Sequence, residues 1–341
     1  MNALAYHAPP VLDRLLQRSS LLEAEAFELW SALASGTIAP ALAGAVLAAL
    51  RAKGETADEL RGFARAMRRL ARRPTFSGRG LLDVVGTGGD GSGSLNLSTG
   101  AALLAAAAGA RVAKHGNRAV SGRCGSADVL EALGLVLPLS EERSAAALRA
   151  HRFTFLFAPH YHPAMAVLAP VRRALGVRTV ANLLGPLVNP AQPDFLLVGA
   201  ADLDTAALLA ETLAGLPLRH AWVVHGAPAW DEPTPVGPFA IFAVRDGLVR
   251  CTTGDPDAYG VRACGAADLL GGEAEGNARA LREALSGAAG PLLEALVLGA
   301  AVALQIAGLA RTPREGAARA RTAVKDGRAL HLLDALRGLH A

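Results

Sequence analysis

Apolar side chains in residues 11–73 recur every three or four positions, which is the spacing of amphipathic helices rather than strands. The apolar stripes are Leu15, Leu16, Phe27, Leu29, Trp30 and Leu33, then Leu42, Val46, Leu47 and Leu50, then Leu60, Phe63, Met67 and Leu70. Gly36 and Pro40 separate the first two stripes, and we expect Pro74 to end the last helix. The pattern therefore predicts a helical domain over residues 1–75.

From Leu81 onward, short apolar runs alternate with amphipathic stretches. The runs predict strands at residues 81–85, 153–157, 195–198 and 221–224, and the stretches predict helices at 126–133, 141–150 and 205–213. An Asp-Gly turn predicts a hairpin between 240–244 and 248–251, and the tail from Asn277 has a helical pattern. Alternating strands and helices are typical of a mostly parallel central sheet covered by helices, so we predict an α/β domain over residues 80–341.

The composition is that of a folded protein with a large core. Of 341 residues, 52% are hydrophobic and 19% charged, and this length suits two domains. The longest mostly apolar run, residues 295–310, is shorter than the roughly 20 residues that a membrane-spanning helix needs. No secretory leader pattern is visible, and Cys124, Cys251 and Cys264 lack the paired spacing of a zinc site or a disulfide framework. We therefore expect a cytoplasmic protein with free thiols and no membrane span.

The net charge of +4 comes from one stretch of arginines. Its members, with no acid between them, are Arg61, Arg65, Arg68, Arg69, Arg72 and Arg73. An amphipathic helix needs a polar side, so a solvated face is the favoured interpretation. A face that binds nucleic acid is the alternative, and it would show affinity that falls steeply with salt.

Glycines and short polar side chains fill the segment after the first predicted strand. The segment contains Gly86, Gly88, Gly89, Asp90, Gly91, Gly93, Ser94, Asn96, Ser98 and Thr99. Glycines let backbone N–H groups approach a bulky anion, and a helix N-terminus adds partial positive charge. Neither a Walker loop nor a dinucleotide-binding pattern is present. The segment favours a phosphate site, with a glycine-rich connection capped by Ser or Thr as the alternative.

Residues 114–128 form a second donor-rich segment ahead of a predicted helix, which Ser126 is expected to cap. Lys114 is notable because lysine is rare in this arginine-rich chain, and lysine provides a compact point charge. We interpret the segment as a second anion-binding loop, with a solvated basic loop as the alternative.

Asp231 and Glu232 lie on a proline-stiffened loop after a predicted strand. Adjacent carboxylates suit Mg²⁺, which prefers oxygen ligands and shares them with substrate phosphates. An exposed acidic turn is the alternative. His160 and His162 are a weak metal signal, whereas Arg172 is a candidate clamp for a carboxylate or else a surface arginine.

These segments, in this order, resemble the anthranilate phosphoribosyltransferases. The resemblance covers nearly the whole chain and rests on residues 86–90, 96–99, 114–118, 125–128, 162–165, 185–187 and 231–232. It implies a glycosyltransferase that moves phosphoribose from phosphoribosyl pyrophosphate to the amine of anthranilate in tryptophan biosynthesis. The implied fold is nucleoside-phosphorylase-like, with a small N-terminal helical domain that also takes in about 163–190 and a larger α/β domain. The resemblance also implies a homodimer through the helical domain.

The resemblance assigns roles to individual residues. Those implied to bind phosphoribosyl pyrophosphate are Gly86, Gly89, Asp90, Ser94, Asn96, Ser98, Thr99, Lys114, His115, Gly116, Asn117, Arg118, Ala119, Val120, Ser121, Gly122 and Ser126. Those implied to bind anthranilate are Gly86, His115, Asn117, His162, Arg172, Gly185 and Pro186. Ser98, Asp231 and Glu232 are the implied ligands of two Mg²⁺ ions. No residue is assigned as a catalytic acid or base, and Lys114 with bound Mg²⁺ stabilises charge.

Two other functions are considered beside this one. The first is a transferase or phosphorylase of the same fold with another aromatic or nucleobase substrate, and the second is a non-catalytic nucleic-acid-binding relative. The paired acids argue against phosphorolysis, because free phosphate does not need a metal clamp. Cys124, Ala181 and Met165 differ from residues common in the family, and the last two bear on the range of aromatic substrates.

Overall fold

The computed structural model describes residues 8–119 and 122–338, so Val120 and Ser121, both expected at the phosphate site, lie outside the described residues. In chain order its helices are α1 Ala8–Leu16, α2 Glu23–Ser35, α3 Pro40–Lys53, α4 Ala57–Leu70, α5 Leu97–Ala107, α6 Ser126–Ala132, α7 Glu141–His151, α8 Ala158–Tyr161, α9 Met165–Leu175, α10 Val180–Leu183, α11 Leu203–Ala214, α12 Pro256–Tyr259, α13 Ala274–Leu285, α14 Pro291–Ile306, α15 Pro313–Lys325 and α16 Arg328–Arg337. Its strands are β1 Leu81–Gly86, β2 Arg111–Gly116, β3 Phe153–Phe157, β4 Phe195–Gly199, β5 His220–Gly226, β6 Phe239–Arg245 and β7 Leu248–Gly254. Short 3₁₀ turns occupy Gly185–Leu187 and Ala266–Leu269.

The first four helices pack around aromatic side chains, as their apolar stripes predict. Trp30 of α2 and Phe63 of α4 are fully buried, with ring centroids 5.2 Å apart. Leu168 of α9 and Val180 of α10 belong to the same apolar core, so a later segment of the chain returns to the helical part. This core continues into β4 through Leu196. The residue bounds of the two domains stay predictions, because the apolar packing is continuous across them.

The strands form one sheet with the order β3-β2-β1-β4-β5-β6-β7 in the part of the chain that the structure describes. The first five pair in parallel, and β6 and β7 add an antiparallel hairpin at one edge. The mostly parallel sheet predicted from the sequence is confirmed. The chain runs from β1 to β2 and β3 on one side of β1, and then returns to form β4 on the other side of β1. Such a switch point places a crevice at the carboxyl ends of the two central strands, where ligands of open α/β sheets bind.

The most apolar segment of the chain is an internal helix. Helix α14 is buried along almost its whole length and packs against α5 and α15. Its apolar composition is therefore explained by its place in the core. Across the described residues, no helix combines the length and the apolar character that crossing a membrane requires.

Strand β2 was not predicted, because the sequence suggested a loop at Lys114 and His115. Only Val112 and Ala113 are apolar in this strand, so its pattern is weak. Lys114 and His115 are nevertheless buried, and each makes a hydrogen bond to β1. Lys114 donates a hydrogen bond to the carbonyl of Val84, and the His115 N–H donates to Asp83 Oδ1 at 3.2 Å. Tertiary partners thus override the local pattern.

Two helix boundaries also differ from the prediction. Helix α4 ends at Leu70 rather than at Pro74, because Ala71 is extended and the Arg72 N–H donates to the carbonyl of Tyr161 at 2.8 Å. Ser126 does not cap α6. It is the first residue of that helix, and Gly125 takes the capping position.

The solvated-face interpretation of the arginine stretch is wrong for much of α4. Arg61 and Arg65 both pair with Glu23 of α2, and both donate to backbone carbonyls of the α11 region. Arg68 is buried, and its Nε donates to the carbonyl of Leu187 at 2.8 Å. This face of α4 therefore fastens helices together, which removes the main support for a nucleic-acid-binding surface along it.

Candidate active site

The carboxyl ends of the central strands bring the paired acids onto the glycine-rich loop. The Gly88 N–H donates to Asp231 Oδ2 at 2.7 Å, and the Ser98 N–H donates to Glu232 Oε1 at 3.0 Å. Asp90 joins them, because its Oδ2 accepts the Asp231 N–H at 3.2 Å. The exposed-turn alternative is therefore wrong, and two segments about 140 residues apart in the chain form one site.

A tight turn after β5 delivers the acids to this position. Gly226 and Trp230 exchange two backbone hydrogen bonds, each 2.9 Å long, which bends the chain back towards the sheet. Asp231 is buried and Glu232 is partly buried. At the end of β1, a Cβ on Gly86 would overlap the Asp231 carboxylate, so only glycine permits the approach.

The two acids carry raised pKa values. Burial, with Asp90 nearby, raises the pKa of Asp231 to about 7, and burial, with Asp231 nearby, raises the pKa of Glu232 to about 8. Lys114 opposes this shift at Glu232, and its Nζ also donates to Ser98 Oγ at 3.3 Å. Buried like charges on neighbouring carboxylates call for a cation, which is the condition that a divalent metal satisfies.

The donor set fits magnesium better than a metal held by the protein alone. In residues 8–119 and 122–338, no three His, Cys, Asp or Glu side chains are grouped as a metal cage. Asp231, Glu232 and the Ser98 hydroxyl, next to a loop of backbone donors, instead supply a few oxygen ligands. Mg²⁺ usually binds through one or two carboxylates while keeping waters and substrate phosphates.

Side-chain amides tie the glycine-rich loop to the second donor-rich segment. Asn96 Nδ2 donates to the carbonyl of Cys124 at 3.0 Å, and its Oδ1 accepts Asn277 Nδ2 at 2.9 Å. Ser94 pairs with Leu270 in a short β-bridge. The Oγ1 of buried Thr99 has no hydrogen-bond partner in the described residues, so it remains available to a ligand. Asn277 escaped the sequence analysis, because nothing in an Ala- and Leu-rich tail points to this loop.

In the second donor-rich segment, residues 114–128, the carboxylate of Asp128 holds the loop ahead of α6. Asp128 Oδ2 accepts the N–H groups of Ala119 and Gly125 at 2.8 Å, and Asn117 O accepts Ser126 Oγ at 3.2 Å. The side chain of Arg118 is held elsewhere: it pairs with Glu131 and lies over the Phe157 ring at 4.7 Å. Gly116 ends β2 and Gly122 lies in the loop. The structure brings this segment to the sheet edge but directs the Arg118 guanidinium away to Glu131.

Two buried histidines face each other beside the Gly185–Leu187 turn. The rings of His115 and His162 lie 5.1 Å apart, edge to face. His115 Nε2 and both ring nitrogens of His162 are buried without a hydrogen-bond partner in the described residues. Burial, with His162 nearby, lowers the pKa of His115 to about 3, and burial lowers the pKa of His162 to about 4. Both rings are neutral at pH 7. The backbone of Val188 is close enough to the His162 ring to raise its pKa against the larger effect of burial, and the remaining ring nitrogens suit a bound polar ligand.

Arg172 lies on α9, in the segment that returns to the helical part. It is partly buried, burial lowers its pKa, and no carboxylate pairs with it in the described residues. Gly185 and Pro186 lie in the 3₁₀ turn, and the Gly185 carbonyl is close enough to the His115 ring to influence its pKa after the larger effects of burial and His162. An unpaired guanidinium and neutral imidazoles are compatible with a small acid that carries an aromatic ring.

Arg178 is a site residue that the sequence analysis missed. Its Nη1 donates to the carbonyls of Gly88 and Gly89, both at 2.9 Å, and a Cβ on Gly89 would overlap it. Arg178 lies between α9 and α10, so it reaches from the returning segment to the glycine-rich loop. Its charge also lowers the pKa of Asp231, against the larger effect of burial. One arginine among 31 gives no sequence signal for such a contact.

Asp83 and Asn189 form a buried pair beneath His115, and the sequence analysis did not identify either residue. Asp83 is fully buried in β1, and its Oδ2 accepts Asn189 Nδ2 at 2.8 Å while its Oδ1 accepts the His115 N–H. Asn189 also donates to the carbonyl of Ala113 at 2.8 Å. Burial raises the pKa of Asp83 to about 6 despite the Lys114 charge. An acid inside an apolar strand was the available signal, since such a residue needs buried partners.

Comparison with known proteins gives consistent matches over nearly the whole chain. Residues 9–71 match the helical bundle domain of a glycosyl transferase family, and residues 78–330 match its a/b domain. The anthranilate phosphoribosyltransferase of Moorella thermoacetica is 44% identical over 325 residues, covering 95% of this chain and 96% of that protein. The enzyme of the same name from Methylobacterium nodulans is 45% identical, covering 96% and 97%.

Solved structures give the same result. The crystal structure of anthranilate phosphoribosyltransferase from Thermus thermophilus matches with a TM-score of 0.89 and 42% identity, covering 96% of this chain and 98% of that chain. The Saccharomyces cerevisiae enzyme in complex with PRPP and Mg matches with a TM-score of 0.87 at 24% identity, covering 97% of each chain. At that identity the second likeness shows the fold alone.

The neutral histidines predict a pH dependence of folding stability. Because the pKa values of His115 and His162 are lower in the folded state than in the unfolded chain, the unfolded chain binds more protons as the pH falls. The two histidines should therefore lower the free energy of unfolding by about 2 kcal/mol each between about pH 7 and about pH 5, whereas the raised pKa values of Asp83, Asp231 and Glu232 act in the opposite direction. Urea unfolding of His115→Asn with His162→Asn at both pH values isolates the histidine contribution, because the variant should become more stable relative to the parent protein as the pH falls. The same pH dependence in variant and parent protein would contradict the burial of neutral rings.

The Arg178 contact predicts a change in loop dynamics. Arg178→Met removes the donor to Gly88 and Gly89, so the amides of residues 87–93 should exchange with deuterium several-fold faster, because a loop with fewer contacts opens more often. Hydrogen exchange followed by mass spectrometry measures this. Arg173→Met, at an exposed neighbouring arginine, is the matched control. Similar exchange rates in both variants would show that the Arg178 contact does not hold the glycine-rich loop.

Proposed function

The chain belongs to the anthranilate phosphoribosyltransferase family, and on that premise we propose that its site transfers phosphoribose from phosphoribosyl pyrophosphate to the amine of anthranilate. The products are N-(5-phosphoribosyl)anthranilate and pyrophosphate, in a step of tryptophan biosynthesis. The observation that carries the proposal is the contact of Asp231 and Glu232 with the amides of Gly88 and Ser98. This contact places the two carboxylates that would hold a cation beside the glycine-rich loop that would bind the phosphates, in one crevice.

We assign the phosphates of the donor to the glycine-rich loop and Lys114. Ser98 lies in the first turn of α5, where its N–H already donates to Glu232 and where the helix dipole favours anions. Burial lowers the pKa of Lys114, while Asp83, Glu232 and Asp231 counter that effect. The Lys114 Nζ lies at the N-terminus of α5, where it donates a hydrogen bond to Ser98 Oγ. Charge that develops on the departing pyrophosphate is thus met by preorganised donors, which is usually the main source of rate.

Magnesium fits the acids of this site, and Ser98, Asp231 and Glu232 are the residues that would hold it. When bound, it supplies positive charge next to the pyrophosphate that leaves. We propose that this site binds two Mg²⁺ ions rather than one. Asp90 is not one of these ligands. Its side chain accepts the Asp231 N–H, which holds the loop that carries Asp231 and Glu232 against the glycine-rich loop.

The aromatic acid is assigned to the space between the histidines and α9. Arg172 is the proposed partner of its carboxylate, because a guanidinium binds a carboxylate through two parallel hydrogen bonds. His115 and His162 are neutral, so they can accept or donate a hydrogen bond without placing a charge beside the ring. The amine of anthranilate is already a usable nucleophile, so the proposal needs positioning rather than a strong base.

The reaction itself follows from this arrangement. The amine nitrogen forms a bond to the anomeric carbon of phosphoribosyl pyrophosphate while the bond from that carbon to pyrophosphate breaks. In this proposal the two substrates lie between side chains from both parts of the chain, Lys114 of β2 and Arg172 of α9. Enclosing two substrates between them would exclude water, which otherwise hydrolyses the activated sugar.

We also propose a homodimer formed through the helical part, in a cytoplasmic enzyme. Exposed apolar side chains support the dimer: Leu16, Leu22, Val167 and Val177 all lie in the helices and turns of that part. Burying such side chains on a second copy would remove apolar surface from water. Light scattering should give twice the mass of the chain, and Leu16→Glu with Val167→Glu should lower it. A monomeric parent protein at micromolar concentration would contradict this part of the proposal.

A fluorescence assay tests the function. Mixed with phosphoribosyl pyrophosphate, magnesium and anthranilate, the protein should consume anthranilate, and the substrate's fluorescence should fall. Asp231→Asn with Glu232→Gln should lower kcat/KM by roughly 100- to 1000-fold, because two groups that counter pyrophosphate charge are lost. Asp204→Asn with Glu211→Gln removes the same charge from exposed positions of α11 and serves as the control.

Two outcomes of this assay would count against the proposal. Near-normal activity of the Asp231 and Glu232 double variant would remove the metal assignment. Consumption of nucleosides or of other aromatic acids, with anthranilate left unused, would favour the alternative transferase or phosphorylase of the same fold.

Arg172 predicts a selective defect in acceptor binding. Arg172→Ala should raise the Michaelis constant for anthranilate roughly 10-fold or more, because a hydrogen bond to a charged group contributes about 1.5–3 kcal/mol. The Michaelis constant for phosphoribosyl pyrophosphate should change far less. Initial rates with each substrate varied in turn provide the measurement, and Arg173→Ala on the same helix is the control. Equal changes for both substrates would remove the clamp role.

A further inference from the structure

A second set of polar clefts lies at the opposite edge of the sheet from the candidate active site. One cleft of about 790 Å³ includes Arg79, Asp194 and Arg219, which precede β1, β4 and β5. A neighbouring cleft of about 610 Å³ includes Arg68 and shares Arg73 with the first. We call the two together the arginine cleft. Its position at the amino ends of the strands separates it from the paired acids at their carboxyl ends.

The arginine cleft has a strong excess of positive charge. The arginines that line it are Arg65, Arg68, Arg69, Arg73, Arg79 and Arg219, and its one lining acid is Asp194. Asp194 already accepts the Gly80 N–H at 2.8 Å. Arg65 pairs with Glu23, but in the described part of the chain no carboxylate pairs with the other five. Several unneutralised guanidinium groups around one cleft attract anions.

Arg68 makes this more than a surface cluster. It is only 8% exposed, and its hydrogen bond from Nε to the carbonyl of Leu187 leaves the charge without an acid. Burial, with Arg65 nearby, lowers its pKa to about 10, which leaves it charged at pH 7. Burying an unpaired cation is costly, and an anion in the cleft would offset that cost.

The lining also determines the kind of anion. The volumes are large enough for a small molecule, and both clefts are open to solvent rather than enclosed. Arginine binds phosphate oxygens through two parallel hydrogen bonds, and guanidinium groups in two adjoining clefts suit several linked phosphates. A nucleic-acid duplex is disfavoured, because Arg61 and Arg65 on the neighbouring face of α4 are paired with acids.

The two segments that enter the sheet from the helical part, one before β1 and one before β4, line this cleft. The segment from α4 to β1 contributes Arg73 and Arg79, and the segment that enters β4 contributes Gln192 and Asp194. A ligand that spans both parts of the arginine cleft would therefore contact α4 and these two segments together.

We propose that the arginine cleft binds an oligophosphate, a small molecule with two or more linked phosphate groups, at a site distinct from the candidate active site. The proposal does not depend on the reaction assigned above. Inorganic triphosphate and ATP are the probes, because comparing them separates recognition of the phosphate chain from recognition of an attached nucleoside.

Calorimetric titration of the full chain with each probe, without magnesium and at low salt, tests the site. Arg73→Gln with Arg79→Gln should weaken binding of triphosphate at least 10-fold, with kcat and both Michaelis constants within twofold of the parent protein. Arg250→Gln with Arg311→Gln removes the same charge from exposed positions elsewhere and should change binding by less than twofold. Arg68→Met should also weaken binding without lowering the melting temperature, because an apolar side chain of similar length replaces a buried charge.

Three results would overturn the proposal. The first is triphosphate binding that is unchanged in the Arg73 and Arg79 double variant and in Arg68→Met. The second is an equal loss in the Arg250 and Arg311 control, which would indicate a general effect of net charge. The third is orthophosphate or a DNA duplex binding as tightly as triphosphate, which would indicate a simple anion site or a nucleic-acid surface.

Discussion

The site depends on holding two adjacent carboxylates against the backbone of a glycine-rich loop. Asp231 and Glu232 approach the amides of Gly88 and Ser98 closely enough to accept their hydrogen bonds, although burial raises both pKa values, with Asp90 adding to the shift at Asp231 and Asp231 to the shift at Glu232. Glycine at position 86 makes room for the approach. Because the carboxylates lie where phosphate donors converge, a cation that binds them is also placed beside any anion that binds the loop.

The mostly parallel sheet makes this contact possible. The ends of β1 and β4 lie side by side, with Gly86 paired to Gly199, and the loop after β5 crosses over both. In a parallel arrangement all the loops that follow these strands emerge at one edge, so acids, lysine and glycines from distant parts of the chain meet there. The segment containing α9 and α10 then adds Arg178 from the helical side, and its contact with Gly88 and Gly89 holds the loop in place.

Charge is divided between the two ends of the sheet. The carboxyl end collects buried acids that need a cation, whereas the amino end collects arginines for which the described residues supply few acids. Arg68 shows that the second collection is partly buried and is not only a solvated surface. We propose accordingly that the two ends of the sheet attract ligands of different kinds, the carboxyl end through a metal and backbone amides and the amino end through guanidinium groups.

The sequence by itself determined the elements with strong periodicity and the motifs with dense donors. The helical N-terminal part, the strand at Phe153–Phe157 and the glycine-rich turn were readable because local spacing reports which side chains are buried. Strand β2, the end of α4, Arg178 and the Asp83–Asn189 pair were decided by tertiary structure alone. In each case the residue is stabilised by a partner far away in the chain, as Lys114 is by the carbonyl of Val84, and local spacing carries no information about such partners.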